Sequence, residues 1–215
     1  MIAIVDYGLG NLHSAAKAFE RIGFEAVLTD DPAVIEAAQA VVLPGVGAYG
    51  DCYRGLEERG LVEPVRQAAL SGKHFLGICV GFQLMFQGSE EGDFEGGLGI
   101  FEGWVRRFRP EPGSRLKVPH MGWNQVAAPS GRACPLLPEG EAPYFYFVHS
   151  YYADPVDPAI VLGECTYGHA FPAIVGRGNV FACQFHPEKS QGAGLALLKQ
   201  FGERAGLPSI ATAAS

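Results

Sequence analysis

The chain has 215 residues, 48% hydrophobic and 18% charged, enough for one well-buried core. A net charge of −7, with sixteen Lys and Arg and no long basic run, leaves no general attraction to phosphate backbones and excludes nucleic acid as an expected partner. The apolar stretch of "MIAIVDYGLGN" is far shorter than the roughly 18 residues that span a bilayer, so no membrane association is expected and the protein reads as soluble and cytoplasmic.

In chain order, "IAIVD" reads as a strand, "NLHSAAKAFERIG" as a helix, "EAVLTD" as a strand, "DPAVIEAA" as a helix and "AVVLPG" as a strand. A helical stretch to about Gly72 and the strand "HFLGI" follow. This alternation, with Val/Ile/Leu-rich strands, predicts an α/β fold: a single three-layer domain with a central, mostly parallel sheet flanked by helices. Ligands of such sheets gather at the carboxyl ends of the strands. From "GLGIFEGWVRRF" to "VFACQFHPE" the pattern turns β-rich, which extends the sheet or adds an antiparallel one. "SQGAGLALLKQFGERAG" is the closing helix, with Ser190 as its N-cap and Leu195, Leu198 and Phe201 at helical spacing. The domain is expected over residues 1–206, with a flexible tail over 207–215.

Five cysteines without a C-x-x-C pair suggest neither a disulfide framework nor a thiolate zinc site, and no metal or cofactor is expected. Two glycine-rich segments look like nucleotide loops and fail the test. "DYGLGNLH" has His13 where a dinucleotide fingerprint needs its third glycine, so it reads as a tight strand-to-helix turn. "LPGVGAYGD" lacks the Lys and Ser/Thr of an ATP loop. Pro44, Gly45 and Gly47 allow that loop to present backbone N–H groups to a pocket as an oxyanion hole, or else simply to end a strand.

In "FLGICVGFQLMF", Cys79 stands between Gly77 and Gly81, the thiol form of a nucleophile elbow: small neighbours relieve a sharp strand-to-helix turn that exposes the central side chain. A helix starting at Val80 or Gly81 would turn its first N–H groups toward the sulfur and favour thiolate. The N–H of Val80 would supply one oxyanion donor, and Val46 or Gly47 of "PGVG" the second. A buried, inert cysteine is the alternative. "CQFHPEKS" offers the base: His186 at the end of a strand, with Glu188 two residues on to hold the imidazole in one tautomer. Of the other histidines, His120 and His149 lie in aromatic-rich segments suited to a hydrogen-bonded structural role.

"PGVG", "GICVGFQLMF" and "FHPEKS", in this order, resemble the class I glutamine amidotransferases. Within that class "DYGLGNLHS", "LPGVGAYGD", "PHMGWN" and "YFVHSYY" are similar to the branch of glutaminase subunits of imidazole glycerol phosphate synthase, in histidine biosynthesis. The resemblance runs from Met1 to about Gly206. It implies that Cys79, His186 and Glu188 form a triad that hydrolyses L-glutamine through a glutamyl thioester. It implies glutamine contacts at Gln83, Gly47, Ser150 and Glu91, with Glu90 as the neighbouring alternative. It further implies a separate (β/α)₈ barrel cyclase subunit, docked as a heterodimer, that receives the ammonia and adds the nitrogen to a phosphorylated ribulosyl aminoimidazole-carboxamide. "PHMGWN" has the composition of either core packing or an interface, and the resemblance points to docking through His120, Met121 and Trp123, with Asn11, Tyr146 and Lys189. The competing readings are a glutaminase feeding a pyridoxal phosphate or purine synthase, a non-catalytic module of the same fold, and a cysteine peptidase or thiol stress protein of related architecture.

Overall fold

Four apolar runs, Ile2–Val5 (β1), Ala26–Thr29 (β2), Ala40–Gly45 (β3) and His74–Cys79 (β4), pair in parallel in the computed structural model, which describes residues 1–111 and 113–208. The later strand Val180–Cys183 joins β4, also in parallel. Numbering the intervening strands Gly103–Arg107 (β5), His120–Gln125 (β6), Tyr144–His149 (β7), Tyr151–Pro155 (β8), Val161–Tyr167 (β9) and His169–Arg177 (β10), Val180–Cys183 is β11. The main sheet has seven strands in the order β2-β1-β3-β4-β11-β10-β9, of which β10 and β9 run antiparallel. The β-rich half therefore does both things expected of it: it extends the sheet and adds two antiparallel ribbons, β5–β8 and β6–β7.

Every residue of β1, β3 and β11 is buried, as continuous apolar strands covered on both faces must be. Helix α1 (Leu12–Arg21) connects β1 to β2 in one direction along the sheet. Helices α2 (Pro32–Ala37), α3 (Tyr49–Glu58) and α4 (Val62–Leu70) lie in connections running the other way. Right-handed crossovers thus put α1 on one face and α2–α4 on the other. The closing helix α6 (Gln191–Arg204) packs on α1, where Phe19 meets Phe201, while α2 packs on α4.

The single helical stretch expected up to Gly72 is two helices. Gly60, at φ +66°, takes the left-handed position after α3; its N–H bonds Glu57 O at 2.9 Å and that of Leu61 bonds Leu56 O at 2.8 Å, so the carbonyls of the last turn are satisfied and the helix stops. The tail expected from residue 207 begins differently: Leu207 is buried and bonds Gly202 O, and residues 209–215 lie outside the described residues. Among the described residues no helix is long and apolar enough to cross a membrane.

Candidate active site

Strand β4 ends on Cys79, and the chain turns there into the short helix α5 (Val80–Gln83). Cys79 has φ +55° and ψ −109°, a conformation side-chain-bearing residues rarely adopt. Crowding explains the flanking glycines. A Cβ on Gly81 would lie 1.9 Å from Leu43 O, and one on Gly45 at the end of β3 would lie 2.6 Å from Gly81 N. The "PGVG" loop and the elbow can approach each other only as bare backbone. Val80, first residue of α5, has no helical carbonyl behind it for its N–H.

His186 follows β11 by three residues, so it is not at the strand end as expected. The 3-10 turn Pro187–Lys189, not strand geometry, brings Glu188 round to it. Nδ1 of His186 lies 2.8 Å from Glu188 Oε1, and both side chains are 2% exposed. The turn is tied down from outside: His186 N–H donates to Tyr146 O at 3.0 Å, and the Ser190 hydroxyl donates to His186 O and accepts from Tyr146 N–H. Ser190 thus occupies the N-cap position of α6 without capping it, because its hydroxyl is already engaged. Asn11 makes the same exchange at the start of α1: its side chain makes no cap bond, and its Nδ2 donates to Glu188 Oε1 at 3.1 Å.

Burial alone would lower the His186 pKa, but the hydrogen bonds and charges of Cys79 and Glu188 prevail and raise it to about 10. Charge on the sulfur and on the carboxylate thus favours the protonated ring against the cost of burying it.

A pocket of about 380 Å³ opens over Cys79, which is itself 4% exposed. Val46, Gly47, Val80, Gln83, Glu91, Ser150, His186 and Lys189 line it, so every glutamine contact and every oxyanion residue expected from the sequence meets there. Of the two neighbouring carboxylates, Glu91 lines the pocket and Glu90 does not. Glu90 turns to Arg106 and Arg109, and the Arg107 N–H with those guanidinium groups lowers its pKa; Glu91 accepts from Tyr49 N–H at 2.8 Å at the pocket wall. The Val46 carbonyl is fixed by the Cys52 thiol at 3.2 Å, and Tyr7 OH donates to Pro44 O at 2.7 Å.

Strand alternation divides the residues expected at an interface. Met121 and Trp123 on β6, and Tyr144 on β7, face solvent at 62%, 46% and 54% exposure, an unusual apolar cluster beside the pocket. Tyr146 is half-buried against Trp123, and Lys189 stands at the pocket mouth. His120 must be corrected: it points to the inner face, 3% exposed, stacked between Phe147 and Tyr167, and cannot reach a partner. Composition grouped it with Met121 and Trp123, and the two-residue period of the strand separates it. Asn11 is half-buried and engaged with Glu188, a connection that spacing could not reveal.

Residues missed in the sequence include Tyr151 and His149 in the pocket wall and Gln184 beside the thiol. A glutamine inside the apolar run "VFACQF" was the available signal for Gln184, a fully buried polar side chain that must find partners.

The family described as Glutamine amidotransferase class-I matches residues 3–205. The chain is 51% identical over 206 residues to the Imidazole glycerol phosphate synthase subunit HisH of Geobacter sulfurreducens, covering 94% of this chain and 98% of that one. It is 49% identical to the subunit of the same name from Synechococcus elongatus, over 99% and 97% of the two chains. Among solved structures, one described as a glutamine amidotransferase superposes with a TM-score of 0.72 at 22% identity, over 96% of this chain and all 100% of the other. PurLQS from Thermotoga maritima gives 0.71 at 21% identity, over 94% and 97% of the two chains, and at these identities the likeness is of fold alone. The chain belongs to the class I glutamine amidotransferase family, in its branch of HisH subunits of imidazole glycerol phosphate synthase, and is a glutamine amidotransferase of histidine biosynthesis.

Proposed function

We propose that Cys79, His186 and Glu188 hydrolyse the side-chain amide of L-glutamine and that the ammonia passes to a separate cyclase subunit. The observation that carries this reading is the convergence of the elbow thiol and the carboxylate-held imidazole on one pocket lined by Gln83, Glu91 and Ser150. The Cys79 sulfur attacks the amide carbon, its proton residing on His186. The oxyanion is met by the N–H of Val80 and by one from Val46 or Gly47. His186 then protonates the departing nitrogen, which leaves as ammonia, and a glutamyl thioester remains. Water gives a proton to His186, attacks the thioester and releases glutamate and the sulfur. Glu188 keeps the ring oriented throughout. Glu91 suits the substrate's ammonium group, and Gln83, Gly47 and Ser150 its remaining polar atoms.

The partner is a (β/α)₈ barrel cyclase that forms a heterodimer through the face of Met121, Trp123 and Tyr146, with Lys189 and the Asn11 turn at its border, in the cytoplasm. Five unpaired cysteines suit a reducing compartment. Partner binding completes the oxyanion hole by reorienting the "PGVG" backbone, because free hydrolysis would waste glutamine; equal glutaminase rates for the lone subunit and for the complex loaded with the cyclase's substrate would overturn this. The test of the whole reading is Cys79→Ala in the complex. Glutamine-dependent synthesis is lost and ammonia-dependent synthesis is retained; survival of the first, or loss of both in a correctly assembled complex, refutes it.

A further inference from the structure

The buried Gln184 side chain lies between a pocket residue and the nucleophile, and the polarity of its hydrogen bonds is fixed from one end. Gln83 Nε2 lies 3.3 Å from the backbone carbonyl of Tyr151, which can only accept, so the amino end of Gln83 is the end that faces this region. The same Nε2 lies 3.0 Å from Gln184, which must therefore present Oε1 to it. The other end of the Gln184 amide, Nε2, is left 3.9 Å from the Cys79 sulfur, with the residue 0% exposed. An amide that is completely withdrawn from water keeps its donor only where the donor has a use.

We propose that Gln184 is a further catalytic residue: its Nε2–H donates to the Cys79 sulfur and stabilises it as thiolate, and Gln83 holds the amide in the orientation that allows this. The inference rests on the proposed nucleophilic role of Cys79. An N–H donor strengthens its bond as the sulfur acquires charge and weakens it when the sulfur becomes a neutral thioester. Gln184 thus acts on the thiolate that attacks the amide and again on the thiolate that leaves when water opens the thioester. The arrangement also ties the nucleophile to the substrate pocket, since Gln83 lines that pocket and sets which end of Gln184 meets the sulfur.

The test follows inactivation by iodoacetamide as a function of pH in the parent, Gln184→Met and Gln83→Met, each in the complex with its cyclase. Gln184→Met, close in volume and without a donor, is expected to move the midpoint of the rate profile up by about one pH unit and to lower kcat for glutamine roughly tenfold with KM little changed. Gln83→Met is expected to move the midpoint in the same direction by less, since it frees the Gln184 amide to rotate without removing it. A profile for Gln184→Met that overlays the parent overturns the inference. If that variant does not fold, the Gln184 side-chain amide resonance of the intact protein decides: it shifts with pH at the midpoint of the inactivation profile, or the inference fails. The two readings separate cleanly. A Cys79→Ala enzyme that still hydrolyses glutamine removes the nucleophile itself, whereas an inert Cys79→Ala beside a parent-like Gln184→Met removes only the role of Gln184.

Discussion

His186 and His149 sit on the walls of the same pocket, 2% and 6% exposed, and the protein gives them opposite character. Among the described residues His149 has no carboxylate partner. Its Nδ1 lies 2.7 Å from the Tyr151 carbonyl, so Nδ1 carries the proton and Nε2 accepts from Nδ1–H of His120 at 2.9 Å. Burial lowers the pKa of His149 to about 3 and that of His120 to about 4. His186 is no more exposed, yet the hydrogen bonds and charges of Cys79 and Glu188 carry it to about 10. Depth removes water from both rings, and the neighbouring charge decides which protonation state replaces it. One ring is held against a carboxylate and the other is a fixed link between β7 and β6.

Glu188→Gln breaks this comparison most severely, because it gives His186 surroundings like those of His149. The glutaminase kcat is expected to fall by about 10³ to 10⁴-fold with KM nearly unchanged. The His186 ring, followed by NMR, should titrate well below its parent value. A variant within tenfold of the parent would remove Glu188 from the mechanism.

Ser190→Ala tests the support of the His186 turn. It removes one of the two donors to His186 O, which keeps the Lys189 N–H at 3.1 Å, and the acceptor of the Tyr146 N–H, and is expected to cost about 1–3 kcal/mol of stability in urea unfolding. Asn11→Ala removes one donor from Glu188 Oε1 and nothing from the His149 side. Its expected effect is a several-fold loss of kcat, measured with saturating cyclase so that weaker docking does not contribute.

The smallest effect is a slope. His120 and His149 have folded pKa values below the ordinary 6.5, so the unfolded chain binds their protons first; their stability is present above about pH 6.5 and is lost as pH falls toward 4 and 3. His186, raised to about 10, is charged in both states below pH 6.5 and adds nothing to that acid slope; its own contribution is lost only as pH rises toward 10. Unfolding free energy should therefore drop between pH 7 and pH 5 more steeply in the parent than in His149→Gln. Parallel slopes would show that His149 is not held neutral.

The parallel half of the sheet was legible because its strands are uninterrupted Val/Ile/Leu runs and its connections are short. The break at Gly60 was not, because the apolar positions of α3 and α4 keep helical spacing on both sides of a glycine whose positive φ only the finished turn requires. The thiol, imidazole and carboxylate were readable from their spacing to glycine and proline. Their supports, Asn11 and Gln184, were not, since each acts across 177 and 105 residues of chain on a group that no local pattern connects to it.

Residue types and their local order determined on their own that this chain folds as a parallel α/β layer, that a cysteine stands at a constrained turn, and that a histidine with a carboxylate follows a late strand. These features follow from short-range sterics and from periodicity. Only the tertiary structure decided that His120 turns inward while Met121 and Trp123 stay in solvent, that Glu91 rather than Glu90 reaches the pocket, and that two similarly buried histidines have their pKa values shifted in opposite directions. Those outcomes depend on which distant group lies a few ångströms away in the low-dielectric interior, and chain order does not encode such distances.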